Sequence, residues 1–244
     1  MVIVTGGSRG IGAATCVLLA ERGWDIVVGY ETDEQAALAV AATCREHGVR
    51  AIVARADVSV EREVEQLFAA ADVLGTITGL VCAAGISGGI ARIGEVSAEA
   101  VGRVLAVNVL GAFLCTRAAV RRMSTAYGGA GGSIVHLSSR AAELGSPGEF
   151  VHYAASKAAV TGLTLGAGRE LATEGVRVNA VAVGLVDTDF HMATGDPARA
   201  DRIRPTVPMQ RSGTVEEVAN AVAWLLSDEA SYTTASVLAV SGGR

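Results

Sequence analysis

The chain has 244 residues, 50% of them hydrophobic and 18% charged, with 4 prolines. This composition excludes a disordered or low-complexity protein and suffices for a buried core. A formal net charge of −5, with no basic stripe beyond the isolated pair Arg121 and Arg122, argues against nucleic acid as a partner.

In chain order, residues 2–5 read as a short apolar strand. It runs into the glycine-rich turn Thr5-Gly6-Gly7-Ser8-Arg9-Gly10-Ile11-Gly12, and a helix follows over 11–22. Glycines at such a turn let the backbone approach a pyrophosphate, and the helix N-terminus offers unpaired N–H groups and a partial positive charge. The turn lacks the Gly-Lys-Ser/Thr ending of an ATP-binding loop; a tight turn without a ligand is the alternative. A second strand over 25–30 ends at Tyr30, where an NAD-binding protein usually carries an acid, and Glu31 follows. Arg9 is placed either to meet a 2′-phosphate or simply on the surface, so NADP(H) leads and NAD(H) stays open.

Further apolar runs at 51–55, 79–83, 133–137, 177–181 and 237–240 read as strands. They are apolar throughout, as in parallel sheets covered on both faces. Helical spacing marks 34–47, 61–74, 98–106, 109–126, 153–174 and 215–227, as at Val64, Leu67 and Phe68. The pattern predicts an α/β fold: a single Rossmann-type, doubly wound domain over 1–244, its seven-stranded, mostly parallel sheet flanked by helices. Residues 128–132 read as a flexible surface connection. Residues 188–212, with Pro197, Pro205 and Pro208, read as a substrate lid. Residues 88–94, 141–152 and 189–208 are the expected substrate pocket, with Phe150, Phe190, His191 and Met192 giving it apolar character.

Four scattered cysteines (Cys16, Cys44, Cys82, Cys115), without Cys-x-x-Cys spacing, read as buried thiols in a reducing compartment. The histidines are equally dispersed, so no metal is expected. A strand starting at Val2 leaves no signal peptide, and no apolar run is read as a membrane span. A cytoplasmic protein is the expectation.

The chemistry concentrates in Tyr153-Ala-Ala-Ser-Lys157, fourteen residues after Ser139. Residues four apart share a helix face. A phenol of pKa about 10 is a poor base at neutral pH, and lowering it by roughly 3 units takes about 4 kcal/mol of differential stabilisation. The Lys157 ammonium and an oxidised nicotinamide are the expected sources, and Ser139 is placed to hydrogen-bond a substrate oxygen.

With these motifs the chain resembles the short-chain dehydrogenase/reductase family over nearly all its length. Within that family, residues 144–149 resemble a bacterial subgroup of glucose-1-dehydrogenase-like or uncharacterised oxidoreductases. The resemblance implies an NAD(P)(H)-dependent oxidoreductase that moves hydride between nicotinamide and a secondary alcohol/carbonyl pair. Tyr153 would be the acid/base, Ser139 would orient the carbonyl, Lys157 would hold the nicotinamide ribose and Asn108 would support a proton-relay water. The implied cofactor residues are Gly6, Ser8, Arg9, Gly10, Ile11, Gly12, Tyr30, Asp57, Val58, Ala84, Gly85, Tyr153, Lys157, Gly184, Val186 and Thr188. A homotetramer or dimer through the long helices, with a small-molecule substrate, is also implied.

Five residues, at four sites, depart from the family pattern. Cys82-Ala83 replaces two asparagines, Val183 a proline before Gly184, Ala235 a glycine and Ala239 an aspartate. They motivate an alternative, a nucleotide-binding regulatory or scaffolding homologue with little catalysis.

Overall fold

In the computed structural model, which describes residues 1–188, 196 and 198–244, seven parallel strands form one sheet in the order β3-β2-β1-β4-β5-β6-β7. The strands are β1 (Val2–Thr5), β2 (Ile26–Tyr30), β3 (Ala51–Arg55), β4 (Gly79–Cys82), β5 (Gly132–Ser139), β6 (Val176–Val183) and β7 (Val237–Val240). All six pairings are parallel, with Thr5 opposite Cys82 and Ser139 opposite Val183.

The nearly unbroken apolar strands follow from burial on both faces. Val2 and Val4 join one core with Cys16, Leu19, Val218 and Val222; Ile3, between them, joins the opposite core with Leu67, Phe68, Leu114 and Met123. The helices are α1 (Gly10–Glu21), α2 (Glu34–Glu46), α3 (Glu61–Leu74), α4 (Ala98–Leu105), α5 (Gly111–Met123), α6 (Ala141–Leu144), α7 (Val151–Glu170), α8 (Arg199–Ile203) and α9 (Val215–Leu226). Asp33 caps α2 by accepting from the Ala36 N–H at 3.0 Å, and Thr214 with Glu217 forms a capping box on α9.

Two expectations need correction. Helices α4 and α5 are joined by a π-helical turn, Ala106–Leu110, rather than separated by a break. The resulting run Ala98–Met123 has a mean hydropathy of 1.6 in its most apolar window and is long enough to cross a bilayer. Here its core-facing residues Val104, Val107, Leu114, Cys115, Ala118, Ala119 and Met123 are buried in the fold.

The segment 128–132 is not a loose connection. A Cβ on Gly129 would lie 2.4 Å from the Met123 main chain, and one on Gly132 would lie 2.5 Å from the Thr78 carbonyl oxygen. Glycine is there for close approach.

The order reverses direction at β1, which has β2 on one side and β4 on the other. In such sheets, ligands bind in the crevice at the carboxyl ends of the strands beside that switch point. The expected lid is described only in part: Asp189, Phe190, His191, Met192 and Pro197 lie outside the described residues.

Candidate active site

A cavity of about 700 Å³ opens at the carboxyl ends of the strands, within the usual range for a small-molecule site. Its floor begins at the glycine turn. Gly6 and Gly10 have φ of +64° and +55°, the left-handed region that glycine tolerates. A Cβ on Gly12 would lie 2.2 Å from the Gly6 carbonyl oxygen. This packing brings the first turn of α1 onto the cavity. No side chain caps α1, and its first turn contains no acidic residue. Its leading N–H groups and dipole are thus open to an anion.

Of the residues expected at a cofactor, Gly6, Ser8, Arg9, Gly10, Ile11 and Gly12 line the cavity, as do Tyr30, Val58, Ala84, Gly85, Gly184, Val186 and Thr188. Asp57 does not. Its carboxylate accepts from the Ser59 N–H and hydroxyl and from Arg103. Burial would raise its pKa, but these bonds leave it below the usual value. Beside the carboxyl end of β2, Arg9 stands 3.7 Å from Asp33, both exposed, and Arg103 holds Glu31 at 2.9 Å.

Ser139, Tyr153 and Lys157 line the same cavity. Ser139 ends β5, and Tyr153 and Lys157 lie one turn apart in the first half of α7. Ser139 Oγ donates to the Val183 carbonyl at 3.4 Å and accepts from the Ala141 N–H at 3.1 Å, and its side chain also acts on the Tyr153 phenol. Lys157 is the only lysine of the chain. Its buried Nζ donates to the Leu137 carbonyl at 2.7 Å and stands 5.6 Å from the Tyr153 ring centroid.

Burial governs both titrations. Tyr153 is pushed up to about 12, the Ser139 bond and the Arg199 charge opposing the rise. Lys157 is pushed down to about 8, Cys82 opposing the fall. In the chain without a cofactor Lys157 alone does not make the phenol acidic; the expected lowering draws on an oxidised nicotinamide as well. The reason is that both groups share one dehydrated site, where each is held toward its neutral form.

Asn108 lies in the π-helical turn, a geometry that recurs at functional sites. Its Oδ1 accepts from the Ile86 N–H, and its Nδ2 donates to the Ile86 carbonyl and to Ser156 Oγ. It lies behind the cavity wall, and a Cβ on Gly85 would meet both Asn108 Oδ1 at 3.3 Å and Lys157 Nζ at 3.5 Å. It braces the loop after β4.

The four cysteines are free and buried. Cys82 is the member of the Cys82/Cys115 pair shifted toward the thiolate, by Cys115 first and against burial, helped by His136 and Lys157.

Arg140 and Arg244, outside every segment expected at the pocket, also line the cavity, as does Arg199 from within the expected segment 189–208, where it had not been singled out. Arg140 directly follows Ser139, the one local signal. Arg244 arrives by tertiary folding alone.

An uncapped helix at a glycine turn, meeting a Ser/Tyr/Lys cluster across one crevice of a doubly wound sheet, defines a dinucleotide-dependent class of α/β enzyme. Comparison with known proteins agrees. The family model described as enoyl-(acyl carrier protein) reductase matches residues 6–244. The uncharacterised oxidoreductase YgfF of Escherichia coli strain K12 is 46% identical over 245 residues, covering 100% of this chain and 99% of its own length. A short-chain dehydrogenase from Burkholderia cenocepacia J2315, in complex with NADP, superposes with a TM-score of 0.91 at 34% identity, over 99% of this chain and 96% of that one. NAD+-bound xylitol dehydrogenase superposes at 0.89 with 32% identity, over 99% and 97%. The chain belongs to the short-chain dehydrogenase/reductase family and is an oxidoreductase.

Proposed function

We propose that the protein interconverts a secondary alcohol and its carbonyl compound, with Tyr153 as the group that gives or takes the hydroxyl proton. One observation carries this reading: Ser139, Tyr153 and Lys157 face the same cavity as the uncapped N-terminus of α1. A nicotinamide dinucleotide, when bound, supplies or accepts the hydride. The glycine turn would hold its diphosphate, and Gly184, Val186 and Thr188 would border its nicotinamide end.

In reduction, the substrate carbonyl oxygen sits between Ser139 and Tyr153, and Ser139 orients it. The Tyr153 hydroxyl then passes its proton to the developing alkoxide. With a phenol shifted to about 12, the proton is present throughout the neutral range, which suits an acid. Lys157 keeps a cation beside the phenol, so the phenolate left behind is met by positive charge. Asn108, by fixing Ile86, holds the loop after β4 against this pair.

NADP(H) is the proposed partner ahead of NAD(H). Arg9 is the cation at the adenosine end, and Glu31 is neutralised by Arg103. A homotetramer or dimer is proposed as well. Leu105, Leu110 and Phe113 expose apolar surface along α4–α5, and the exposed face of α7 carries Ala155, Ala158, Ala159, Gly162 and Gly166, small enough for close helix approach. A monomer in light scattering would remove that part.

The deciding experiment screens ketones, quinones, sugars and acyl thioesters with NADPH and NADH in parallel, reading absorbance loss and fluorescence binding together. Turnover of a carbonyl compound supports the reading. Tight cofactor binding with no turnover across the panel would replace it with a binding role.

A further inference from the structure

The end of the cavity beyond Tyr153 has a one-sided charge. Arg140, Arg199 and Arg244 line it, whereas the only acidic side chain lining the cavity among the described residues is Glu31, at the adenosine end with Arg103. Three guanidinium groups around one wall need a reason, because burying a cation without a partner is costly.

Two of the three have visible anchors. Arg199 is 8% exposed, places its guanidinium 4.7 Å over the Phe150 ring and meets Glu149 Oε2 at 2.9 Å. Phe150 packs edge-on against Tyr153 with centroids 6.3 Å apart, so Arg199 is two rings' breadth from the reacting phenol. Glu149 is shared: Arg202 takes its other oxygen at 2.9 Å. Arg140 donates to Glu143 and, through Nε, to the Arg244 main-chain oxygen, each at 2.6 Å.

Arg244 differs. Its main chain is fixed by Arg140 and by Ser241, whose hydroxyl donates to the Arg244 main-chain oxygen at 2.9 Å. Its guanidinium makes no hydrogen bond or ion pair to any described residue. Burial and the Arg199 charge both act against its cation, and Glu149 offsets them only in part. An anion placed between Arg244 and Arg199 would relieve that like-charge opposition and give the Arg244 guanidinium a partner.

We propose that the substrate is an oxo acid or hydroxy acid whose carboxylate is received by Arg244, with Arg199 behind it, while its carbonyl or carbinol faces Tyr153. The inference rests on the oxidoreductase reading above and deepens it. A carboxylate fits better than a dianionic phosphate, because a single unpartnered guanidinium matches a single negative charge and its planar fork matches two carboxylate oxygens.

The test uses the intact protein and matched pairs of oxo acids and their methyl esters, with the carboxyl at increasing distance from the ketone. For at least one pair, kcat/KM of the acid should exceed that of the ester by roughly tenfold to a hundredfold, the range of a charge-assisted hydrogen bond, expressed mainly in KM. Arg244→Gln should bring that ratio toward one by raising KM for the acid, and Arg244→Lys should restore part of it. Arg244 is partly exposed, and an unchanged melting temperature would separate lost recognition from lost folding. Equal rates on acids and esters, or a ratio that survives Arg244→Gln, would overturn the carboxylate site while leaving the oxidoreductase intact. Phosphorylated ketones outperforming the oxo acids would overturn it as well. Cofactor binding with no turnover of acids, esters or neutral ketones would sink the oxidoreductase reading, and this inference with it.

Discussion

Lys157 reaches past the Tyr153 ring to donate to the Leu137 carbonyl at 2.7 Å, its ammonium 5.6 Å from the ring centroid. The cation is thus anchored by the main chain of β5 rather than by the phenol. It is also the only lysine in the chain, so its titration can be read alone. A lysine-selective NMR titration of the free protein should give a value near 8, well under the usual 10.5.

The sign for stability follows from burial lowering the folded-state value. Between pH 8 and 10.5 the unfolded chain binds more protons at this residue, so its contribution rises with pH across that window, by about 3 kcal/mol in full. The thiols of Cys16, Cys44 and Cys115 are raised and act oppositely above pH 9. Comparison with Lys157→Met therefore isolates the effect. Wild type should gain on the variant as pH rises from 8 to 10.5; parallel stability curves would refute it.

Tyr153, held to about 12, is an acid at neutral pH and a base only at high pH. Reduction should be nearly flat with pH near neutrality, whereas alcohol oxidation should climb with pH. Tyr153→Phe should lower turnover in both directions by roughly 10²- to 10⁴-fold, the usual worth of a positioned acid or base, with cofactor affinity largely kept. Oxidation that does not respond to pH would show that another group moves the proton.

Much of this arrangement was legible in the residues. The strands could be read because burial on both faces leaves almost no polar residue in them, and β1, β3 and β7 match to the residue. The Ser139, Tyr153 and Lys157 set was legible because helix periodicity places two of its members on one face. What could not be read depends on distant contacts. The π-helical turn at Asn108 leaves no local mark, since Val107 and Val109 suit an ordinary helix. The rise at Tyr153 comes from burial under Phe150 and the cavity wall, which no spacing reveals. Arg244 meets Arg140 across more than 100 positions of sequence (separation 104).

Ala235 has φ of +53°, where a Cβ is strained, and its N–H is fixed to the Val178 carbonyl at 2.8 Å. The Gly168 backbone approaches so closely that a Cβ there would lie 2.6 Å from Ala235 N. The residue cannot shift to relieve its strain. Left-handed geometry costs about 1–2 kcal/mol for an L residue, and the extra freedom of an unfolded glycine returns part of that. Ala235→Gly should stabilise by roughly 0.5–1 kcal/mol and raise Tm by about 2 °C. A lower Tm would mean that the Ala235 methyl packs more favourably than its backbone strains.

Gly12 allows α1 to lie against the turn that precedes it. Its Cβ would meet the Gly6 carbonyl oxygen at 2.2 Å, and main-chain atoms cannot swing aside. Gly12→Ala should tilt the first turn of α1 away from the cavity and weaken cofactor binding by at least about tenfold, the loss of one charge-assisted bond. Nicotinamide fluorescence enhancement on binding would read it. Unaltered affinity would show that the diphosphate is held elsewhere.

Arg9 and Glu31 set opposite charges at the adenosine end. The Arg9–Asp33 contact is long, 3.7 Å between exposed side chains, so Arg9 is only loosely held. Glu31 is tied to Arg103 at 2.9 Å, and Arg103 also bonds Asp57 at 3.0 Å. A 2′-phosphate would draw Arg9 from Asp33 and meet a carboxylate already neutralised. Arg9→Ala should therefore weaken NADPH by roughly tenfold or more and leave NADH within about twofold. Arg103→Ala should act in the same direction by releasing the Glu31 charge toward the phosphate. Equal loss of both cofactors in Arg9→Ala would place Arg9 on the shared diphosphate and end its role in choosing between them.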